Sequence, residues 1–340
     1  MDKKPSKAQQ GNELNKRALK KVVAQIVLAQ GNTFIKELLR SNNIQIGNTK
    51  ADFAQNLSAA IDKGALTQAA IEDWLGEIEG WGNQHVYLFE RPAIPPADIR
   101  SVLEASKHAG LLVRKVSYEF PDTLSLSTIN FSGDHLSIAW HRGRGGWERA
   151  RAKDFQRDEG PDTFEYRAYR ERFERSVVRF EWRLGDPYSA VMIQLPNEGD
   201  EHEKALNQVW KDLKEMGLLP RPLTKIRLSP AFKKLGRNTA ATVQSTRLVT
   251  QGGHVELVST LSEGGIEAVQ AVREVRRGVD DANFAAADGM FSFAAEKYRQ
   301  LSRTIKMEGH GLDSRLRIWV QCKRNDVYVV LSVIWANNLA

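Results

Sequence analysis

The stretch "TFEYRAYRERFERSVVRFEWRL", Thr163 to Leu184, alternates aromatic or aliphatic residues with charged ones along almost its whole length. A helix repeats its faces every 3.6 residues, so a sustained period of two is the mark of a half-buried strand. The run is long for one strand, which predicts a bend or turn near Glu174 and Arg175. Its second half is followed by "GDP" and then "YSAVMIQLP", a turn into a second apolar strand.

Strands of the same kind recur on both sides. "LSLSTINF" and "DHLSIAWHR" read as a hairpin around Ser132, Gly133 and Asp134. Further strands are expected near 240–250, 254–261 and 291–307, and a last hairpin, "SRLRIWVQCKRNDVYVVLSVIW", is expected to turn at Arg324, Asn325 and Asp326. Helical periodicity marks "ADIRSVLEASKHAG" and "DEHEKALNQVWKDLKEMG", the latter ending at Gly217. The two hairpins "SVVRFEWRLGDPYSAVMIQLP" and "SRLRIWVQCKRNDVYVVLSVIW" echo one another, each with a basic first strand and an apolar second one, which divides 99–340 into related subdomains 99–217 and 218–340.

The first quarter of the chain has another rhythm. Residues 1–11 form a polar tail expected to be disordered. From Asn12, Leu14, Ala18, Leu19, Val22, Val23, Ile26 and Val27 recur at helical spacing, with Lys16, Arg17, Lys20 and Lys21 opposite. "TFIKELLR", a helix from about Thr49 to Lys63, "TQAAIEDWLGEIEGW" and the β-like "QHVYLFERP" complete a helical domain over 12–90, and "RPAIPPAD" at 91–98 reads as the linker. The fold class is therefore α+β, a small N-terminal helical domain followed by a mainly antiparallel β-rich domain with packed helices.

Charge is distributed more tellingly than its total of +7 suggests. The first 50 residues hold ten Lys/Arg against three acids, so the rest of the chain is neutral as a whole. Within that rest, 216–255 contains no acid but carries Arg221, Lys225, Arg227, Lys233, Lys234, Arg237 and Arg247, and "HRGRGGWERARAKDFQR" has six bases against Glu148 and Asp154. Three separated basic segments are the pattern of a polyanion-binding surface. The single cysteine, Cys322, excludes internal disulfides and multi-thiolate metal sites. With no secretory leader and no apolar run long enough to span a bilayer, the expectation is a cytoplasmic protein without membrane contact, nucleoid-associated in a bacterium or nuclear in a eukaryote.

Thr49-Lys50-Ala51-Asp52 makes a capping box, with Phe53, Leu57, Ala60 and Ile61 as the buried face of its helix. The succession "FIKELLR", "SNNIQIGN" and "TKADFAQNL", about residues 33–61, resembles the SAP family of helix-extended-helix DNA-binding motifs. Family members usually carry glycine before the Thr-Lys pair and an arginine late in the second helix. Here Asn48 stands in the glycine's place, where a left-handed backbone is expected of it, and Asn56 in the arginine's. The resemblance implies DNA binding through the backbone, with Asn48, Thr49, Lys50 and the neighbouring N–H groups holding phosphates and Lys36 and Arg40 adding charge. The order of a helical domain before a β-rich one is also similar to that of the centromere protein N family.

Two further sites are expected from the basic runs. "RGRGGW" reads as a flexible loop in which Arg142 and Arg144 contact phosphates and Trp147 stacks on a base. In "TKIRLSPAFKKLGR", a short helix after Ser229 would project Lys233, Lys234 and Arg237 together. Catalysis has less behind it: the sequence holds no G-x-x-x-x-G-K-[ST], H-E-x-x-H or G-x-S-x-G motif. His135 and His141 share a strand face and are candidates for an acid/base pair with Asp134 or Glu148. The expected function is non-enzymatic binding of nucleic acid, double-stranded DNA above all, without cofactor or metal. The alternatives are a protein-assembly subunit and, third, a nuclease-like enzyme.

Overall fold

The computed structural model describes residues 16–24, 27, 32–78, 84–112, 121–194, 200–236, 241–259, 264–280, 285–294, 305–311, 314–319 and 324–339. The polar tail, Cys322 and Arg237 lie outside them.

The N-terminal helices follow their periodicity. Helix α1 covers residues 16–24, and α2 (Asn32–Ser41), α3 (Lys50–Lys63) and α4 (Gln68–Ile78) follow. Leu19, Val22, Val23, Ile35, Leu38, Leu39, Phe53, Leu57, Ile61 and Ile71 are all buried in one core. Helix α3 starts at the Thr49 cap and stops at Gly64, whose φ of 71° is open to a residue without Cβ.

Beyond them, the ten strands β1 (Gln84–Glu90), β2 (Ser125–Ser132), β3 (His135–Arg149), β6 (Tyr169–Arg183), β7 (Tyr188–Ile193), β8 (Thr242–Thr250), β9 (Gly253–Val258), β10 (Ala285–Phe293), β11 (Ile305–His310) and β12 (Arg315–Trp319) form one sheet. Its order is β2-β3-β6-β7-β1-β12-β11-β10-β8-β9, and its paired strands are antiparallel. The α+β class with a large antiparallel sheet is thus what the chain adopts. A separate hairpin, β4 (Phe155–Glu159) and β5 (Asp162–Tyr166), sits between β3 and β6.

Strand β1 decides how the helices are placed. It pairs with β7 on one side and β12 on the other, so it lies inside the sheet. Tyr87 and Phe89 enter a core with α5 (Ile99–Ala105) and α6 (Glu201–Glu215), whereas Val86 and Leu88 enter a second core with α7 (Ser229–Leu235) and α9 (Arg324–Leu339). Successive side chains of a strand point to opposite faces. The two helix pairs therefore cover opposite faces, α5 and α6 over the β2-to-β1 half, α7 and α9 over the second core and, through Ser332 and Tyr328 of α9, across β7 to β6 and β3. Close approach of α7 requires glycine below it: a Cβ at Gly309 would fall 1.7 Å from the Phe232 ring.

Four expectations are corrected. The strand at 84–90, assigned to the helical domain, belongs to the sheet, and "RPAIPPAD" leads from β1 into a 3-10 turn and α5 with Pro92 buried. "VYVVLSVIW" is helix, not strand: Val327, Tyr328, Val330, Leu331 and Ile334 are buried at helical spacing against α7 and the sheet. With that hairpin goes the echo on which the subdomains rested. Finally, the break in the long alternation falls at Arg167 and Ala168, while β6 pairs continuously with β3 through Glu174 and Arg175.

Candidate nucleic-acid interface

The β3–β6 pair outruns the sheet. Strand β2 accompanies β3 only as far as His141, and β7 accompanies β6 only from Val178, but β3 and β6 stay in register from Gly143↔Arg175 to Arg149↔Tyr169. Seven residues on β3 give a two-stranded ribbon of roughly 23 Å at 3.3 Å per residue, capped by the β4–β5 hairpin. "RGRGGW" is therefore strand, not loop. The backbone pairing with β6 is what extends it, and Gly146 faces open space that a Cβ would not disturb. Glycines inside a strand leave the ribbon bare where another backbone can approach closely.

At the outer end of the ribbon Trp147 is 71% exposed and Tyr169 52%. They share a face, since Trp147 is two residues from Arg149, which sits opposite Tyr169. The Arg149 guanidinium lies 5.5 Å over the Tyr169 ring and donates to Asp154 at 2.6 Å, which holds the Asp154 carboxyl below the usual range. Arg151 and Lys153 follow on a 3-10 turn, exposed and without an ion pair among the described residues. The hairpin beyond is exposed throughout, with Phe155 and Tyr166 stacked at 4.7 Å between ring centroids and Phe164 45% exposed. Its bases are engaged: Arg157 with Glu159 and Arg167 with Glu165, both at 3.4 Å.

Other expected contacts are arranged differently. Arg142 is half-buried and donates to Glu201 at 2.5 Å; of Arg144 only the backbone, opposite Glu174, is described. At the start of α3 the capping box is complete, and Asp52 Oδ2 also accepts the N–H groups of Asn48 (2.8 Å) and Thr49 (2.9 Å). These hydrogen bonds pull the Asp52 carboxyl down, so a carboxylate occupies the place expected for a phosphate. The left-handed residue in this loop is Asn43, φ 53°, not Asn48, and Asn56 ties the loop by donating to the Gln45 carbonyl at 2.8 Å. Lys36 lies over the Phe53 ring at 5.8 Å, Arg40 is exposed, and Lys50 is half-exposed. On α7, Lys233 and Lys234 are both half-buried, and Lys234 Nζ is enclosed, without a hydrogen-bond partner among the described residues. They do not project together.

The histidines on β3 meet groups other than those expected. His135 Nε2 lies 2.6 Å from Glu181 Oε2, and Ser137, Arg179 and Tyr328 also donate to that buried carboxylate at 2.9–3.0 Å. His141, 2% exposed, is hydrogen-bonded to Ser127. Both are consumed in fixing the sheet to α9 and to β2. The sequence reading named Trp147 but missed Tyr169, Arg151, Lys153 and the Phe155–Tyr166 stack. Their signal was the alternation itself, which continues through "DTFEY" to a turn at Gly160 (φ 66°). No protein-family model matches the chain, and no curated protein matches it.

Proposed function

We propose that this chain is a non-enzymatic nucleic-acid-binding protein that grips duplex DNA with the β3–β6 ribbon. The observation carrying this reading is the cluster at the ribbon's outer end: exposed Trp147 and Tyr169, Arg149 above the tyrosine, and Arg151 and Lys153 without acidic partners among the described residues. A two-stranded ribbon has the width a major groove admits. Arginine and lysine beside it neutralise phosphates, and exposed rings offer base or sugar contacts. Reversing Arg151 and Lys153 together to Glu tests this. It should lower affinity for a DNA duplex at least tenfold at low salt and flatten the salt dependence; unchanged binding contradicts the assignment.

A second reading, docking of a protein partner, is favoured by one observation. The β4–β5 hairpin exposes Phe155, Phe164 and Tyr166 while its arginines are neutralised by Glu159 and Glu165. An affinity that depends on these rings and hardly on salt is its signature.

A further inference from the structure

Beyond β1, on the face that α5 and α6 leave bare, the sheet gathers basic side chains. His85 on β1 sits opposite Arg317 on β12, Tyr87 sits opposite Arg315, and Arg315 is in turn opposite His310 on β11. Residues opposite one another in an antiparallel pair share a face with Cβ atoms about 5 Å apart. Two histidines and two arginines thus form one block over three strands. It continues to α6, where the His202 ring lies 4.6 Å from that of His85 and shares a 2.9 Å hydrogen bond with the Tyr87 hydroxyl.

The block is unfavourable as it stands. Nδ1 of His85 is buried with no hydrogen-bond partner among the described residues, a situation that costs free energy and asks for a missing partner. Burial, then His202, Arg315, Arg317 and His310 in that order, push His85 down to about 3. Apart from burial, each of these is a basic side chain that disfavours a charge on His85. The nearby acids are already shared: Glu203 with Lys225 at 2.7 Å, Glu308 with Arg317 and His310 at 3.9 and 3.7 Å, Asp288 with His310 and Arg247 at 3.3 and 3.7 Å. A small oxyanion relieves both faults at once, accepting from the orphan ring nitrogen and lowering the local positive potential.

We propose that His85, His310, Arg315 and Arg317 form a phosphate-binding site, which takes a phosphoryl oxyanion either free or on a nucleic-acid backbone. A neutral His85 carrying its proton on Nδ1 donates to one oxygen, and the guanidinium groups donate to the others in charge-assisted bonds. The site shares no residue with the ribbon cluster.

The test follows the imidazole Cε1–H resonances of the whole chain during titration with inorganic phosphate, against sodium chloride at matched ionic strength. The His85 signal is identified by its loss in His85→Gln. Phosphate up to about 10 mM should shift it saturably and raise its proton affinity at least tenfold. Arg317→Gln, a change at a side chain 49% exposed, should weaken phosphate binding at least tenfold. A His85 signal that phosphate leaves in place, or Arg317→Gln binding as tightly as the parent, overturns the site. A variant without the ribbon, with residues 143–175 replaced by Asn-Gly between the facing positions Arg142 and Ser176, then identifies the source. A duplex that shifts His85 in this variant supports a backbone phosphate, and a shift by inorganic phosphate alone supports a free one. Failure here leaves the ribbon reading intact, because that is read from Arg151 and Lys153.

Discussion

At the α3 start, a lysine in the first turn opposes the helix dipole, and the structure shows how it is tolerated. Asp52 accepts N–H groups from both Asn48 and Thr49 and places a full negative charge where the dipole is positive. Gly47 makes room for it, since a Cβ there would fall 2.1 Å from that of Asp52. Thr49→Ala removes the hydroxyl that accepts from the Asp52 N–H and should destabilise the helical segment by about 1 kcal/mol, measured as a shift of the urea midpoint. Duplex binding should be unchanged by it if the ribbon carries the contact. His85 gives a second residue-scale prediction. Its folded-state value of about 3 lies below the ordinary 6.5, so between those pH values the unfolded chain binds a proton that the folded chain refuses. Stability from this residue is intact above about pH 6.5 and falls as pH drops toward 3. His85→Gln should flatten that part of the stability curve, compared by urea unfolding at neutral pH and at about pH 4.5; identical slopes would mean that His85 titrates normally in the fold.

Among the elements, the ribbon was legible because alternation survives wherever one face of a strand differs from the other. Its partner was less so: "RGRGGW" has no alternation to read, and its strand conformation is imposed by fifteen register pairs with β6. Helix α9 was misread for the converse reason. "VYVVLSVIW" is rich in β-branched residues, and this weak local preference yields to packing against α7 and the sheet. Strand β1 was recognised as a strand but given to the wrong part of the chain, because its partners, β7 and β12, lie about 100 and 230 residues further on and local patterning cannot name them. Proteolysis distinguishes the two views of the boundary. "RPAIPPAD" is held by Arg91 N–H to the Pro187 carbonyl and by buried Pro92, whereas the Glu159–Asp162 turn is exposed on all sides. A protease of broad specificity should cut first within 155–166; first cuts at 91–98 would restore the linker.

For the molecule as a whole, the candidate site depends on which faces the helices leave open. Because β1 buries Val86 and Leu88 on one side and Tyr87 and Phe89 on the other, α5 and α6 pack on one face of the sheet and α7 and α9 on the other. The ribbon grows from the β3–β6 edge of one half, and the His85 block lies where the other half begins. Basic segments announced a polyanion surface in the sequence; among the described residues Arg142, Arg149, Arg157, Lys225 and Arg247 are paired with acids, and the fold sets the exposed Arg151 and Lys153 beside the rings of the ribbon. The central claim is that the ribbon is the grip. Its most direct test is fluorescence anisotropy of a labelled DNA duplex with the intact chain and with the Arg142–Asn-Gly–Ser176 variant, at about 50 and 200 mM salt. The intact chain should bind tightly at the lower salt and lose affinity steeply at the higher, while the shortened variant keeps its thermal unfolding midpoint and loses most of its affinity at both. A folded variant that binds the duplex as tightly as the intact chain would contradict it.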